Sequence, residues 1–118
     1  MLNDATGITH IYLCTGYTDM RRGIDGLINT VVNCLGKDPA EPGSIFLFCG
    51  HKCDRIKALL YEGDGWLLCY KRLTRGRYRW PRTQQEAKNI SEQQYRWLME
   101  GLSVEQDYVI IKQGPGIY

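Results

Sequence analysis

The sequence predicts an α+β fold, in which a mostly antiparallel five- to six-stranded sheet or meander carries one long N-terminal helix and one short C-terminal helix. Two observations support this prediction. Short apolar segments alternate with Gly-, Pro- and Asp-containing turns, and residues 20–35 repeat apolar residues at three- and four-residue intervals. The chain has 118 residues, 43% apolar and 24% charged, which is typical of one globular domain. We assign residues 1–112 to this domain and residues 113–118 to a tail.

The N-terminal half is predicted to begin with a strand over residues 8–14, which are apolar and partly β-branched. A long helix is predicted over about residues 20–35, where the apolar residues form one face. Asp19 is the predicted N-cap, since its carboxylate can accept hydrogen bonds from the free amides of the first turn, and Gly36 ends the helix. The solidly apolar segment at residues 44–49 is predicted to be a central strand.

Three further strands are predicted over residues 55–62, 66–73 and 77–80. The turns between them are short and contain glycine, so consecutive strands are expected to be antiparallel neighbours. Pro81 ends the last of them because proline cannot donate to a strand ladder. These strands are therefore predicted to form a meander.

The C-terminal part is predicted to contain a mobile connection, a helix and a strand. Residues 82–89 are polar and are predicted to form this connection. Ser91 and Gln94 have the spacing of a capping box, which predicts a helix start, and Gly101 suits the end of that helix. A last short strand is expected over residues 104–112.

Positive charge is concentrated in one part of the chain. Fifteen Lys or Arg against thirteen Asp or Glu give a net charge of +2, yet residues 51–82 contain nine of those cations and three of the acids. No acid interrupts residues 71–82. Like charges at this density repel and destabilise a fold unless an anion compensates them. The segregation favours a polyanionic partner such as nucleic acid.

The predicted hairpin around Gly76 is the main candidate site. Side chains alternate across a strand, so Arg75, Arg77 and Arg79 are expected on one face. Guanidinium groups bind phosphate oxygens with two donors, and a two-stranded ribbon can follow a nucleic-acid backbone. The alternative is a solvated sheet face whose arginine stems cover aromatic side chains. The residues predicted to bind nucleic acid are Arg55, Lys57, Lys71, Arg72, Arg75, Arg77, Arg79, Trp80 and Arg82.

Tyr78 and Trp80 are expected on the opposite face of the same strand. Trp80 is expected to stack on an unpaired base if the ligand is nucleic acid. If the partner is a protein instead, both aromatic side chains are expected to serve as anchors.

Arg21 and Arg22 form a smaller candidate anion site. Within the predicted helix they would lie in the first turn, where the helix dipole disfavours cations. Asp25 can neutralise them as a partner three or four residues away, and this is the favoured interpretation. The alternative is an anion held by both guanidinium groups and the free amides of the helix start.

Metal and catalytic motifs are weak. Residues 49–53, Cys-Gly-His-Lys-Cys, contain three possible zinc ligands, but structural zinc sites usually pair two short motifs, so we predict a turn and no metal. The sequence contains no P-loop, nucleophile elbow or dinucleotide fingerprint, and we predict no catalytic residue and no cofactor. Five cysteines and no long apolar run predict free thiols and a cytoplasmic protein without a membrane span.

Five short blocks in order carry a family resemblance: residues 19–27, 45–48, 54–57, 70–73 and 76–81, the last reading Gly-Arg-Tyr-Arg-Trp-Pro. With them the chain resembles the small accessory proteins, called TnpB or second open reading frame products, of the insertion-sequence sixty-six family of transposable elements. The resemblance implies a role in transposition beside a separate, larger transposase that supplies the catalytic carboxylates.

We therefore expect a non-enzymatic accessory factor for DNA transposition that binds DNA through the basic hairpin and assists the transposase. The alternative is a protein-interaction module that docks its basic and aromatic face on the transposase without contacting DNA. A metal-dependent nuclease that uses the aspartates is the least favoured hypothesis, since nothing in the sequence requires those carboxylates to converge.

Overall fold

A computed structural model describes residues 7–104 of the chain. Within them, five strands form one mixed sheet in the order β4-β3-β2-β1-β5, with two helices. The elements are β1 (His10–Cys14), α1 (Ile24–Asn33), β2 (Ser44–Cys49), β3 (Arg55–Tyr61), β4 (Trp66–Arg72), β5 (Ala87–Ile90) and α2 (Glu92–Met99).

The sheet is antiparallel except at its centre. β1 and β2 are parallel neighbours, and the chain crosses between them through α1. A parallel pair needs a long crossover, which the 29 residues between Cys14 and Ser44 supply. β2, β3 and β4 form the predicted meander, and β5 adds to the outer edge of β1. All six residues of β2 are buried, as predicted for a central strand.

Each face of the sheet has its own hydrophobic cluster. On one face, α1 covers a cluster that includes Phe46, Phe48 and Leu59. On the other, α2 and the segment after β4 cover a cluster that includes Leu47 and Leu98. The sheet is therefore the middle of three layers, and residues that alternate along one strand reach different layers.

The short C-terminal helix is confirmed together with its end signals. The Ser91 hydroxyl accepts from the Gln94 N–H at 3.1 Å, and the Gln94 side chain accepts from the Ser91 N–H at 2.8 Å. At the other end, Gly101 has φ +82° and the Leu102 N–H donates to the Trp97 carbonyl at 2.8 Å. This is the glycine-terminated hydrogen-bond pattern that the sequence predicts there.

The prediction of a long N-terminal helix is wrong, since α1 has ten residues. Asp19 does not cap it. Its carboxylate accepts instead from the Arg21 N–H at 2.9 Å, which closes a local turn two residues along the chain. The helix begins after Gly23, whose extended backbone has no side-chain cap.

The predicted strand over residues 77–80 is also wrong, and with it the hairpin. This segment has extended or irregular backbone and no ladder partner in residues 7–104. Conversely, part of the predicted mobile connection at residues 82–89 belongs to β5, which pairs with β1. Most of the strand predicted over residues 104–112 lies outside the described residues.

No helix among the described residues is both long and apolar enough to cross a membrane.

Candidate functional site

The segment after β4 alternates buried aromatic and exposed cationic side chains. Tyr78 and Trp80 are each 4% exposed and belong to the core on the α2 side of the sheet. Arg77 and Arg79, on either side of Tyr78, are exposed. The alternation expected from the sequence is therefore present, although the segment is not a strand. Burial of two large rings fixes the segment and leaves both guanidinium groups outside.

Hydrogen bonds fix this segment to the end of β1 and to the loops that follow β1 and β2. The Tyr78 N–H donates to the Cys53 carbonyl at 2.7 Å, and the Trp80 Nε1 donates to the Cys14 carbonyl at 2.8 Å. The Gly16 N–H donates to the Pro81 carbonyl at 2.9 Å. The segment thus lies across the carboxyl ends of the parallel pair, the edge at which open sheets with parallel strands commonly bind ligands.

Thr15 fixes the next part of the chain in the same way. Its buried hydroxyl donates to the Gln84 carbonyl at 2.7 Å and accepts from the Glu86 N–H at 2.9 Å. The Thr15 N–H also donates to the Glu86 carbonyl at 2.9 Å. The chain therefore leaves Pro81, turns and enters β5 along a path held by one side chain.

These segments enclose a groove of about 740 Å³, which we call the basic groove. Its floor is formed by buried side chains, among them Thr15, Cys53, Tyr78 and Trp80. Glu86 is the one acid among the described residues that line it. The cations that line the basic groove are Lys52, Arg77, Arg79, Arg82 and Lys88.

The arginines of the basic groove are not neutralised by described carboxylates. In residues 7–104, the arginines that form salt bridges are Arg21, Arg55 and Arg96. Arg82 has its guanidinium carbon 5.9 Å from the centre of the Tyr17 ring, and that ring packs edge-on against His51 at 4.9 Å. The cationic groups of Arg77 and Arg79 therefore have no carboxylate partner within residues 7–104.

Trp80 does not occupy the position expected of a base-stacking residue. Its ring is buried and its Nε1 is bonded to a backbone carbonyl. Burial also raises the pKa of the Tyr78 phenol, with the nearby Cys49 thiol as a second cause. Neither ring is presented as a surface anchor for a partner protein. Both side chains instead support the cations next to them.

The other cations predicted to bind nucleic acid do not line the basic groove. Residues directly opposite each other on neighbouring strands project on the same face of a sheet. Arg55 is opposite Arg72, and Lys57 is opposite Tyr70. Lys57 is also opposite Phe48, which lies in the cluster under α1. These three cations therefore project on the α1 side. Two others are exposed away from the lining of the groove, namely Lys71 on β4 and Arg75 in the turn before Gly76.

Arg21 and Arg22 are satisfied locally, and the expected pair with Asp25 is wrong. The Arg21 guanidinium binds both carboxylate oxygens of Asp19, with Nη2 2.8 Å from Oδ2. These bonds hold the pKa of Asp19 well below its usual range. The Arg22 Nη1 donates to the Thr30 hydroxyl at 2.6 Å, and its side chain lies over Gly26, where a Cβ would come within 3.1 Å of it.

Sequence reasoning missed Lys52, Lys88 and Thr15 as parts of the site. Lys52 follows the central strand in a turn, a position where loops commonly bring functional side chains together. The polar sequence around Lys88 predicts a mobile connection and therefore no position in a sheet. Thr15 carries no sequence signal, because its role depends on a segment about 70 residues later in the chain.

The Cys-Gly-His-Lys-Cys cluster forms a turn between β2 and β3. The Cys53 N–H donates to the Gly50 carbonyl at 3.0 Å, and Cys53 has φ +59°. Burial raises the pKa of the Cys49 thiol well above its ordinary value, and the adjacent Cys53 adds to this effect. Among the described residues, no group of three or more His, Cys, Asp or Glu side chains is placed to hold a metal ion. All five cysteines have free thiols.

Comparisons with known proteins identify one family and two relatives. A family model described as IS66 Orf2 like protein matches residues 9–108. Two relatives come from Sinorhizobium fredii. The uncharacterized protein y4jC is 31% identical over 98% of this chain and 93% of its own length. The uncharacterized protein y4hO is 36% identical over 78% of this chain and 79% of its own. No solved structure is significantly similar to the chain.

Proposed function

Because the chain belongs to the IS66 Orf2-like family, we propose that this transposition-associated protein is a non-enzymatic accessory factor that binds DNA in the basic groove. Lys52, Arg77, Arg79, Arg82 and Lys88 contact phosphates in this proposal. The catalytic steps of transposition then belong to a separate transposase.

The observation that supports the proposal most directly is the pairing of exposed arginines with buried aromatics. The backbone at Arg77 and Arg79 is fixed by the neighbouring rings in the core, and neither guanidinium has a carboxylate partner within the described residues. A fixed backbone loses no further backbone entropy when its cations bind phosphate, and Arg binds phosphate with two parallel donors. A solvated sheet face would not require this groove or its excess of cations.

The salt dependence of binding tests the proposal. Neutralisation of about five duplex phosphates predicts a slope of log K against log salt near −4.5. In fluorescence anisotropy with a labelled duplex, Arg79→Ala is expected to weaken binding about tenfold and reduce the slope by about 1. Arg96→Ala is the matched control, because it removes one exposed positive charge from α2, away from the groove.

A slope near zero, or equal losses in Arg79→Ala and Arg96→Ala, would show that the basic groove does not bind DNA. Docking on the transposase is then the remaining function for the groove. It is recognised by co-purification of the two proteins after nuclease treatment that is lost in Arg79→Ala but retained in Arg96→Ala.

A further inference from the structure

We propose that a second basic surface, on the face of the sheet opposite the basic groove, binds a second DNA backbone, so that one protomer bridges two DNA segments. The surface consists of Arg55, Lys57 and Arg72 around the ring of Tyr70, and we call it the rear basic surface. It shares its ligand class with the proposed function but depends on different residues.

Strand register places the rear basic surface. Arg55 is the direct partner of Arg72, and Lys57 is the direct partner of Tyr70. Ile56, between the two cations of β3, is buried in the cluster on the groove side. Since neighbours along a strand point to opposite faces, Arg55 and Lys57 point away from the basic groove. The two sets of cations are therefore separated by the sheet.

The charge on this surface is only partly compensated inside the protein. Like charges directly opposite each other destabilise a strand pair, and Arg55 is opposite Arg72. Among residues 7–104, the carboxylate that forms a salt bridge with this pair is that of Asp54, whose Oδ1 lies 3.7 Å from Arg55 Nε. That Nε is buried and has no hydrogen-bond acceptor among the described residues. Arg72 is exposed and forms no salt bridge with a described carboxylate. A phosphate shared by the two guanidinium groups would remove this repulsion.

The lysine of the rear basic surface is held beside an exposed ring. Lys57 Nζ donates to the Arg22 carbonyl at 2.8 Å and lies 5.4 Å from the centre of the Tyr70 ring. Tyr70 is 53% exposed, the most exposed large hydrophobic side chain among the described residues. A cation next to an exposed aromatic ring suits a nucleic acid, whose phosphates and sugars or bases offer complementary contacts.

A two-duplex capture assay tests the inference. A biotinylated duplex is immobilised, the full-length protein is added, and retention of a second, fluorescent duplex is measured. The wild type is expected to retain it. The double variant Lys57→Ala/Arg72→Ala is expected to bind the first duplex within about threefold of wild type but to retain the second at least tenfold less. Arg72→Gln, which keeps most of the side-chain stem, is expected to lose part of this retention, and Arg96→Ala none.

The outcomes separate the two proposals. Wild-type retention of the second duplex by Lys57→Ala/Arg72→Ala would overturn the rear basic surface and leave the groove proposal intact. A dimer that bridges DNA through its two grooves would give the same retention. Light scattering therefore measures how many protomers the complex contains. If this variant loses the first duplex while Arg77→Ala/Arg79→Ala keeps it, the proposed function of the groove fails and the rear basic surface is the principal site. A wild type that binds no duplex overturns both.

Discussion

Two arginine-rich segments of the chain form opposite environments for their charges. In residues 19–22, Arg21 binds the carboxylate of Asp19 and Arg22 donates to a threonine hydroxyl. In residues 77–82, each arginine is next to at least one buried ring or a proline, and the described residues offer Arg77 and Arg79 no carboxylate partner. The two environments differ because the residues next to the arginines differ. An acid two positions away satisfies an arginine locally, whereas an aromatic side chain fixes the backbone and leaves the cation for an external partner.

The largest expected effect comes from removing the ring that supports the second segment. Trp80→Ala is expected to lower the free energy of unfolding by about 3–5 kcal/mol, because it deletes a buried indole and leaves a cavity. Urea denaturation followed by circular dichroism measures this. A loss below about 1 kcal/mol would contradict the role of the ring as the fixed support of the groove.

A smaller pair of changes separates ring packing from hydrogen bonding. Trp80→Phe keeps an aromatic ring but loses the bond to the Cys14 carbonyl, and a loss of roughly 1–3 kcal/mol is expected. Tyr78→Phe is the matched control. Its hydroxyl is buried without a hydrogen-bond partner among the described residues, so its removal is expected to leave the free energy of unfolding unchanged or to raise it. The same denaturation curves compare the two, and equal losses would contradict this contrast.

The turn that brings the chain from β4 to the groove depends on the backbone conformation of Gly76. Its φ of +76° is a conformation that side chains with a Cβ rarely adopt, although a Cβ there would meet nothing within 4 Å. Gly76→Ala is expected to destabilise the fold by roughly 1–2 kcal/mol through backbone strain alone. Gly23→Ala is the control, since Gly23 has φ −95° and equally open surroundings. Thermal unfolding of both variants should show the larger loss at Gly76.

The smallest expected effect concerns the internally paired segment and depends on pH. The folded-state pKa of Asp19 is lowered, first by the Arg21 side chain and then by its N–H. Its contribution to stability is therefore present above the unfolded value of 3.8 and is lost as pH falls through the folded value. Asp19→Asn is expected to be slightly less stable than wild type at pH 7 and to approach wild type in acid. A difference that grows on acidification would contradict the assignment of this pair.

Local signals in the sequence predicted the elements that depend on neighbouring residues. The capping box at Ser91, the glycine at the end of α2 and the fully buried strand β2 were all predicted, because each depends on a few adjacent side chains. The alternation of Arg77, Tyr78, Arg79 and Trp80 was predicted for the same reason. The assignment of that segment as a strand was wrong, because its hydrogen-bond partners are distant loops that no local pattern identifies.

The sequence also did not show that the cations predicted to form one site lie on two sides of the sheet. Arg55 and Arg77 both belong to the cation-rich part of the sequence, residues 51–82, but they lie on different sides of the sheet. Only strand register decides this, and a shift by one residue would move a side chain to the other face. The helix α1 is shorter than predicted, and Asp19, a residue type that can either cap a helix or close a turn, closes a turn through its carboxylate with the Arg21 N–H.

The hydrogen bonds that close the basic groove connect parts of the chain that are far apart in sequence. The bond from Trp80 to Cys14 spans 66 residues, and the bond from Glu86 to Thr15 spans 71. Contacts of such high sequence separation require a large loop-closure entropy to be overcome before they form. The groove is therefore expected to assemble last during folding, after β1, β2 and β3 have paired, so that a newly made chain has no basic groove until its sheet is complete.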